Sequence, residues 1–392
     1  MDNMKNKTKK SLLLFAVGII TLTVCILFGA FTAQAKTITI IDPEDMKNIN
    51  WVNKGFGPGN TYKLGADMTL GELDDSTVAL TKGNFVIDLN GHTLQNATPN
   101  LTVIHVAGAN VTIKDSKASN NKPSIRSYGA GAIQITSGTL RIKNGNYVGV
   151  SNGYNNPSAL HVGGGTCVVE GGYFYGEHIG ANCSYQGKLY INGGIFRTGY
   201  MFALGDATGG GTIKISKADF VSGTTTYGGR FSLGAYCGQN YYNFNSWLAK
   251  GSSFSYAFNT LYWNMQSSIS YYPTMSNFYA VAYDTPNLTV TSTVKAPAKT
   301  SIKKLTPGSK SLKVSWKKIT KNVSGYQVQL ATNKKFTKGV KTITVKGKKN
   351  TAKTVKKLKS GKKYYVRVRT YRSFNKSKLC SKWSKVKTKT VN

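Results

Sequence analysis

The chain has 392 residues, enough for two domains with a buried core, and a formal net charge of +37. Its five cysteines have no short regular spacing, which argues against a zinc site and a disulfide framework; no metal-spaced histidine pair or Gly-Lys-Ser/Thr phosphate loop occurs, so no metal and no cofactor is expected. The charge is segregated: residues 296–392 hold 27 Lys and 3 Arg without one Asp or Glu, whereas residues 36–295 hold 18 basic and 14 acidic residues, and that step marks a domain boundary.

In chain order, the basic start "MDNMKNKTKK" runs into an apolar stretch from Ser11 to Ala30 that ends in "FTAQA". Ala33 and Ala35 supply the small residues of a processing site, so residues 1–35 read as a signal peptide. The other reading is a membrane anchor, since the run is nearly long enough to span a bilayer. Cys25 follows Val24 and lacks the small residue expected before a lipidated cysteine. Cleavage would leave a secreted protein, extracellular or cell-wall associated, without a membrane span. Next, "DPEDMKNI" offers Asp42 as an N-cap with Pro43 behind it, a short helix covering the open end of a stack of repeats.

From about residue 62 to residue 285 one template recurs: "VIDLNGHTL" from Val86, "NVTIKDSKA" from Asn110, "TLRIKNGNY" from Thr139, "TCVVEGGYF" from Thr166, "KLYINGGIF" from Lys188 and "TIKISKADF" from Thr212. Strand alternation turns these into inward columns. Ile87, Val111, Leu140, Cys167, Leu189 and Ile213 form one; Leu89, Ile113, Ile142, Val169, Ile191 and Ile215 a second; and Leu94, Ala118, Tyr147, Phe174, Phe196 and Phe220 a third, beyond a Gly- or Asn-containing bend. A further strand repeats at Ile104, Ile133, Leu160, Ile179, Phe202 and Phe231. Units of 22 to 29 residues with two short strands cannot bury their apolar face alone and must stack. A β-sandwich is the competing arrangement, but it gives no reason for six units in register. From Tyr236 to Tyr283 aromatic residues crowd in, either as sugar-stacking platforms or as the filling of a last coil and cap.

The repeat, and "VIDLNGHTL" in particular, resembles the right-handed parallel β-helix (pectin-lyase-like) superfamily, which holds pectate lyases, polygalacturonases and adhesins. The segment after the polar linker "TSTVKAPAKT" resembles fibronectin type III domains: Trp316 sits in a second-strand motif, Leu358 and Tyr364 match the tyrosine corner, and Trp383 matches the final strand, within about seven strands. The expectation is therefore an all-β chain, with a β-helix and its N-terminal cap over 36–295 and a fibronectin type III sandwich over 296–392.

That superfamily includes polysaccharide lyases and glycoside hydrolases. A polygalacturonase-like order of Asp74-Asp75, Gly91-His92 and Arg141-Ile142-Lys143 is present, but no Asn-Thr-Asp precedes it and Thr93 replaces the second glycine. A hydrolase needs two carboxyl groups ~5 or ~6.5–9.5 Å apart. Glu170 and Glu177 with His178 form the one plausible cluster, although Glu170 should face Lys143 of the preceding coil as an ion pair. The outward positions His105, Gln134 and His161, with His178 on the same face, either hydrogen-bond a glycan laid along the solenoid or are simply solvated.

The C-terminal lysines, among them Lys317, Lys318, Lys348, Lys349, Lys356, Lys357, Lys362 and Lys363, either solvate the domain or hold it on an anionic polymer. Aromatics interleaved for reading bases are lacking, so sequence-specific nucleic-acid recognition is not expected. The residues favour a non-catalytic bacterial surface protein, an adhesin or carbohydrate-binding module with a basic tether, over the alternative of a polysaccharide-degrading enzyme; expected partners are extracellular glycans or anionic cell-wall polymers.

Overall fold

A computed structural model of the chain describes residues 35–50, 55–71, 77–151, 157–177, 179–198, 202–206, 211–222, 233–235, 247–256, 263–264, 280–281 and 287–392. The expected leader other than Ala35, the pair Asp74-Asp75, His178, Cys237 and most of the aromatic-rich stretch lie outside the described residues. Among the described residues no helix is long and apolar enough to cross a membrane.

Residues 37–221 wind into a parallel β-solenoid of about 6 turns. Each full turn uses three strands rather than the expected two. The first face carries, among others, Val78–Leu80, Ser158–Val162 and Ile179–Cys183. The second carries Thr37–Ile40, Thr61–Leu64, Asn84–Asp88, Thr166–Val169, Lys188–Ile191 and Thr212–Ile215. The long strands Ile104–Lys114 and Ile133–Ile142 bend across both. The third face, beyond the Gly/Asn corner, stacks Leu94–Asn96, Ile125–Tyr128, Asn146–Val150, Tyr173–Gly176, Ile195–Thr198 and Ala218–Ser222.

The inward columns are the core. Val111, Leu140, Cys167, Leu189 and Ile213 pair in register, each at most 2% exposed. The first coil departs from expectation by two residues: Phe85, not Ile87, lies beside Val111, and Ile87 lies beside Ile113. The first face shows the same slip once, with Ala181 beside Leu160 where Ile179 was expected, while Ile179 and Phe202 pair with each other as expected. A shift of two keeps every side chain on its face, so alternation cannot detect it. In the third column Ile125 takes the place of Ala118, which sits exposed in a longer corner loop. The aromatic members of that column stack ring on ring, with centroids 5.0 Å apart for Tyr147–Phe174, 4.8 Å for Phe174–Phe196 and 5.5 Å for Phe196–Phe220.

Both ends of the stack are covered. Asp42 caps the helix Pro43–Lys47 by accepting from Glu44 N–H, and Met46 is fully buried beneath it. At the far end Asn287–Ser292 runs antiparallel to Ala218–Val221 and to Ser252–Tyr256, which covers the third-face edge that Ala218–Ser222 would otherwise leave open.

The C-terminal region is a sandwich with its own core around Trp316, Tyr326, Val328 and Val366. One sheet joins Ile302–Gly308, Ser311–Trp316 and Ala352–Val355; the other joins Lys341–Lys346, Gly325–Ala331, Lys363–Phe374, Ser377–Cys380 and Lys387–Thr390. There are eight strands because the last one is split. Its halves, Ser377–Cys380 and Lys387–Thr390, pair with opposite ends of Lys363–Phe374. Trp383 falls between the halves rather than in a strand, its ring stacked by Arg367 at 4.6 Å and Arg369 at 4.3 Å.

Candidate functional site

On the first face, parallel register lays His105, Gln134, His161 and Asn182 in one outward row, one residue per coil. Asn182 enters the row through the same two-residue slip. Both histidines use one motif: His105 Nε2 shares a 2.9 Å hydrogen bond with Thr136 Oγ1, and His161 Nε2 one of 2.9 Å with Ser184 Oγ, each hydroxyl lying on the next coil. Burial lowers both imidazole pKa values, so the rings are neutral at pH 7.

Just past this row the chain turns from the first face to the second, and there a groove opens across three coils. The corner of the middle coil is Gly163-Gly164-Gly165, while the corners on either side carry side chains: Thr136 and Ser137 before it, Tyr185 and Gln186 after it. A corner without side chains between two that have them leaves a trough of about 480 Å³, completed by Thr166 and Lys188. Gly164 and Gly165 are required by the fold. A Cβ on Gly164 would stand 2.1 Å from Thr136 O, and Gly165 has φ +65° with a Cβ position 2.7 Å from Gly138 O. Gly163 is not: its Cβ would meet nothing closer than His161 Nε2 at 3.6 Å. Tyr185 is 65% exposed and held at φ +53°, an unfavourable backbone for a tyrosine that places it at the trough's wall. Strand alternation alone does not point to this trough; the run of three glycines at one corner is its signal in the sequence.

Of the candidate catalytic cluster, Glu170 and Glu177 are not brought together, and His178 lies outside the described residues. Glu170 and Glu177 stand at opposite ends of the strand Tyr173–Gly176, whose four residues alone span ~13 Å, beyond the reach of a shared glycosidic bond. Glu170 takes ion pairs from Arg141 and Lys143 of the preceding coil. Glu177 Oε2 accepts from Ser151 N–H at 2.7 Å. Of the polygalacturonase-like order, Arg141 and Lys143 are thus committed to Glu170, and His92 Nδ1 contacts Asp67 Oδ1 at 3.3 Å. The buried Asp115 accepts from Gly91 N–H at 2.7 Å and Ser124 Oγ–H at 2.7 Å, a structural use of a carboxylate. Among the described residues no group of three or more His, Cys, Asp or Glu is placed to hold a metal. Cys167 is fully buried, its thiol pKa pushed up by desolvation, so it fills a core column rather than acting as a nucleophile.

Glu170 also joins the two halves of the molecule. The two-residue turn Asn375-Lys376, both residues at positive φ, lets the sandwich hairpin project onto the second face. There Ser377 Oγ–H donates to Glu170, and Arg141 donates to Lys376 O at 3.1 Å. Asn375 and Asn192 exchange two 2.9 Å hydrogen bonds, and the Asn375 amide also reaches Lys214 O at 3.0 Å.

All eight lysines named from the sequence are exposed. They lie on the loops and edges of the sandwich: Lys317 and Lys318 after Ser311–Trp316, Lys348 and Lys349 after Lys341–Lys346, Lys356 and Lys357 after Ala352–Val355, and Lys362 and Lys363 where the longest strand begins.

The sequence pattern of the fibronectin type III family matches residues 295–385. The C-terminal sandwich is a fibronectin type III domain. Similar solved structures include the fn3 domain of human contactin 1 (19% identity, covering 25% of this chain and 77% of that one, TM-score 0.20) and the fibronectin type-III domain of human fibronectin type III domain containing protein 3 (24% identity, 26% and 90%, TM-score 0.21). No curated protein sequence matches the chain.

Proposed function

We propose that this is a secreted, surface-retained, non-catalytic protein whose solenoid recognises a glycan and whose fibronectin type III domain holds it on an anionic polymer such as a cell-wall teichoic acid. The observation that carries the reading is charge segregation: a domain with 30 cations and no carboxylate side chain, joined to a solenoid whose basic and acidic residues nearly balance. Lysines spread over loops and edges make a diffuse positive field rather than a shaped pocket, which suits a flexible polyanion bound through counterion release. The solenoid's part rests on the polar row His105, Gln134, His161 and Asn182, a periodic set of donors and acceptors at the strand repeat.

The test is retention of residues 36–392 on immobilised teichoic acid and heparin as a function of salt. Strong binding at low salt is expected, with a steep inverse dependence on salt concentration. Changing the eight named lysines to glutamine should weaken binding and flatten the log–log salt slope by about 6 if all eight contact the polymer. Failure of the parent to bind at low salt, or an unchanged slope in the variant, would sink the tether.

A further inference from the structure

We infer that the trough at the Gly163–Gly165 corner is a saccharide subsite, taking one pyranose unit of an acidic glycan with its ring face against Tyr185 and its carboxylate at Lys188. The inference rests on the glycan-recognition reading of the solenoid and deepens it by naming the place and the chemistry.

Four observations converge on it. First, at about 480 Å³ the trough falls within the range of small-molecule sites, and it opens to solvent, as a site on a polymer must. Second, its wall presents an aromatic ring: Tyr185 is largely exposed on a left-handed backbone, where a solvated corner would ordinarily carry Gly or Asn. Third, the remaining groups are hydroxyls and an amide, from Thr136, Ser137, Thr166 and Gln186, with the single cation Lys188. This set offers donors and acceptors to sugar hydroxyls and one positive charge to a carboxylate. Fourth, Gly163 leaves open a space that packing does not require to be empty, since a Cβ there makes only ordinary contact with His161. That space joins the trough to the polar row, so a chain bound along His105, Gln134 and His161 runs into it. From Ser137 to Gln186 the trough crosses two strand spacings, ~10 Å, which suits one ring between two corners.

The experiment uses residues 36–392 with the eight lysines changed to glutamine, at physiological salt, so that the basic domain contributes less while the Lys188 pair is not screened away. Isothermal titration with a glucuronate-containing hexasaccharide, and with the same sugar after carboxyl reduction, reads the site. The acidic sugar should bind more tightly than the reduced one. Tyr185→Asn, which removes the ring but suits the left-handed backbone, should weaken both by tenfold or more. Gly163→Leu, which fills the trough, should abolish binding, and an unchanged melting temperature confirms its fold. Lys188→Gln should erase the preference for the acidic form while leaving affinity for the reduced form as it was. If the acidic sugar binds but Tyr185→Asn and Gly163→Leu bind it like their parent, the trough is not the site and glycan recognition lies elsewhere on the solenoid. If neither sugar binds, the subsite falls together with the solenoid's part of the proposed function, while the lysine tether, tested separately, stands.

Discussion

In the solenoid Tyr147, Phe174, Phe196 and Phe220 lie one above another, because parallel strands in register repeat each position every ~4.8 Å. In the sandwich Trp316 and Tyr326 meet at 5.3 Å with their planes 52° apart, as side chains from two sheets interdigitate. The same residue class is thus used as a ladder in one half and as a keystone in the other. Charge follows the same division. The solenoid spends its carboxylates locally, Asp88 on Lys114 at 2.8 Å and Glu170 on Arg141 and Lys143, while the sandwich has none to spend. A repeat unit needs partners above and below and so builds its own charge pairs; an autonomous sandwich can leave its surface to a single sign.

The largest expected effect separates the two cores. Phe196→Ala removes a ring that touches both neighbouring coils and should cost about 3–5 kcal/mol. In denaturant titrations it should move the solenoid transition and leave the sandwich transition in place; Trp316→Ala should do the reverse. A single transition that shifts in both variants would show that the halves unfold as one unit.

The next effect tests how firmly the halves are joined. Glu170 is half-buried between Arg141, Lys143 and Ser377. Its desolvation pushes the pKa up, but the hydrogen bonds from Lys143 and Ser377 together with the nearby charges outweigh it, and the net shift is downward from 4.5. A carboxylate with a depressed folded pKa stabilises the folded arrangement fully above its unfolded value. That contribution fades as pH falls below about 4.5 and through the folded pKa. The hold of this charge cluster on the folded chain, read from the denaturant transitions, should therefore loosen in acid. In Glu170→Gln it should be weaker by ~1–3 kcal/mol at neutral pH and lose that pH dependence. A double-mutant cycle with Ser377→Ala should show coupling of ~0.5 kcal/mol or more; additive effects would mean that the hairpin contact is incidental.

Much of this organisation was legible in the sequence, since inward columns, the capping Asp42 and the tyrosine-corner residues are carried by local patterns. What was not legible has definite causes. Alternation has period two, so it placed Ile87 and Ile179 on the correct faces but set Ile87 beside Val111 instead of Ile113 and Ile179 beside Leu160 instead of Ser158. The loop that exposes Ala118 and brings in Ile125 changes the length of one corner, which a fixed template cannot follow. The trough is a property of three coils at once: Gly163–Gly165 looks like an ordinary turn until Ser137 and Tyr185 are known to stand on either side. Likewise Glu170 showed its partner Lys143 through the repeat spacing, but Ser377 lies 207 residues away on another domain and no periodicity points to it.

The smallest effect sharpens the sandwich side of the comparison. Tyr364 is 5% exposed, and its hydroxyl accepts from Lys359 N–H at 3.1 Å, which pins the turn that carries the buried Leu358. Tyr364→Phe keeps the ring and removes only this bond. Lys359 is exposed, so its amide can turn to water, and the cost should stay near 1 kcal/mol rather than reach the penalty of a buried orphan. The loss should appear in the sandwich transition alone, with the solenoid transition and the glycan affinity unmoved. A cost of several kcal/mol would mean that water does not reach the Lys359 amide and that the corner, like the aromatic ladder, depends on a closed interior.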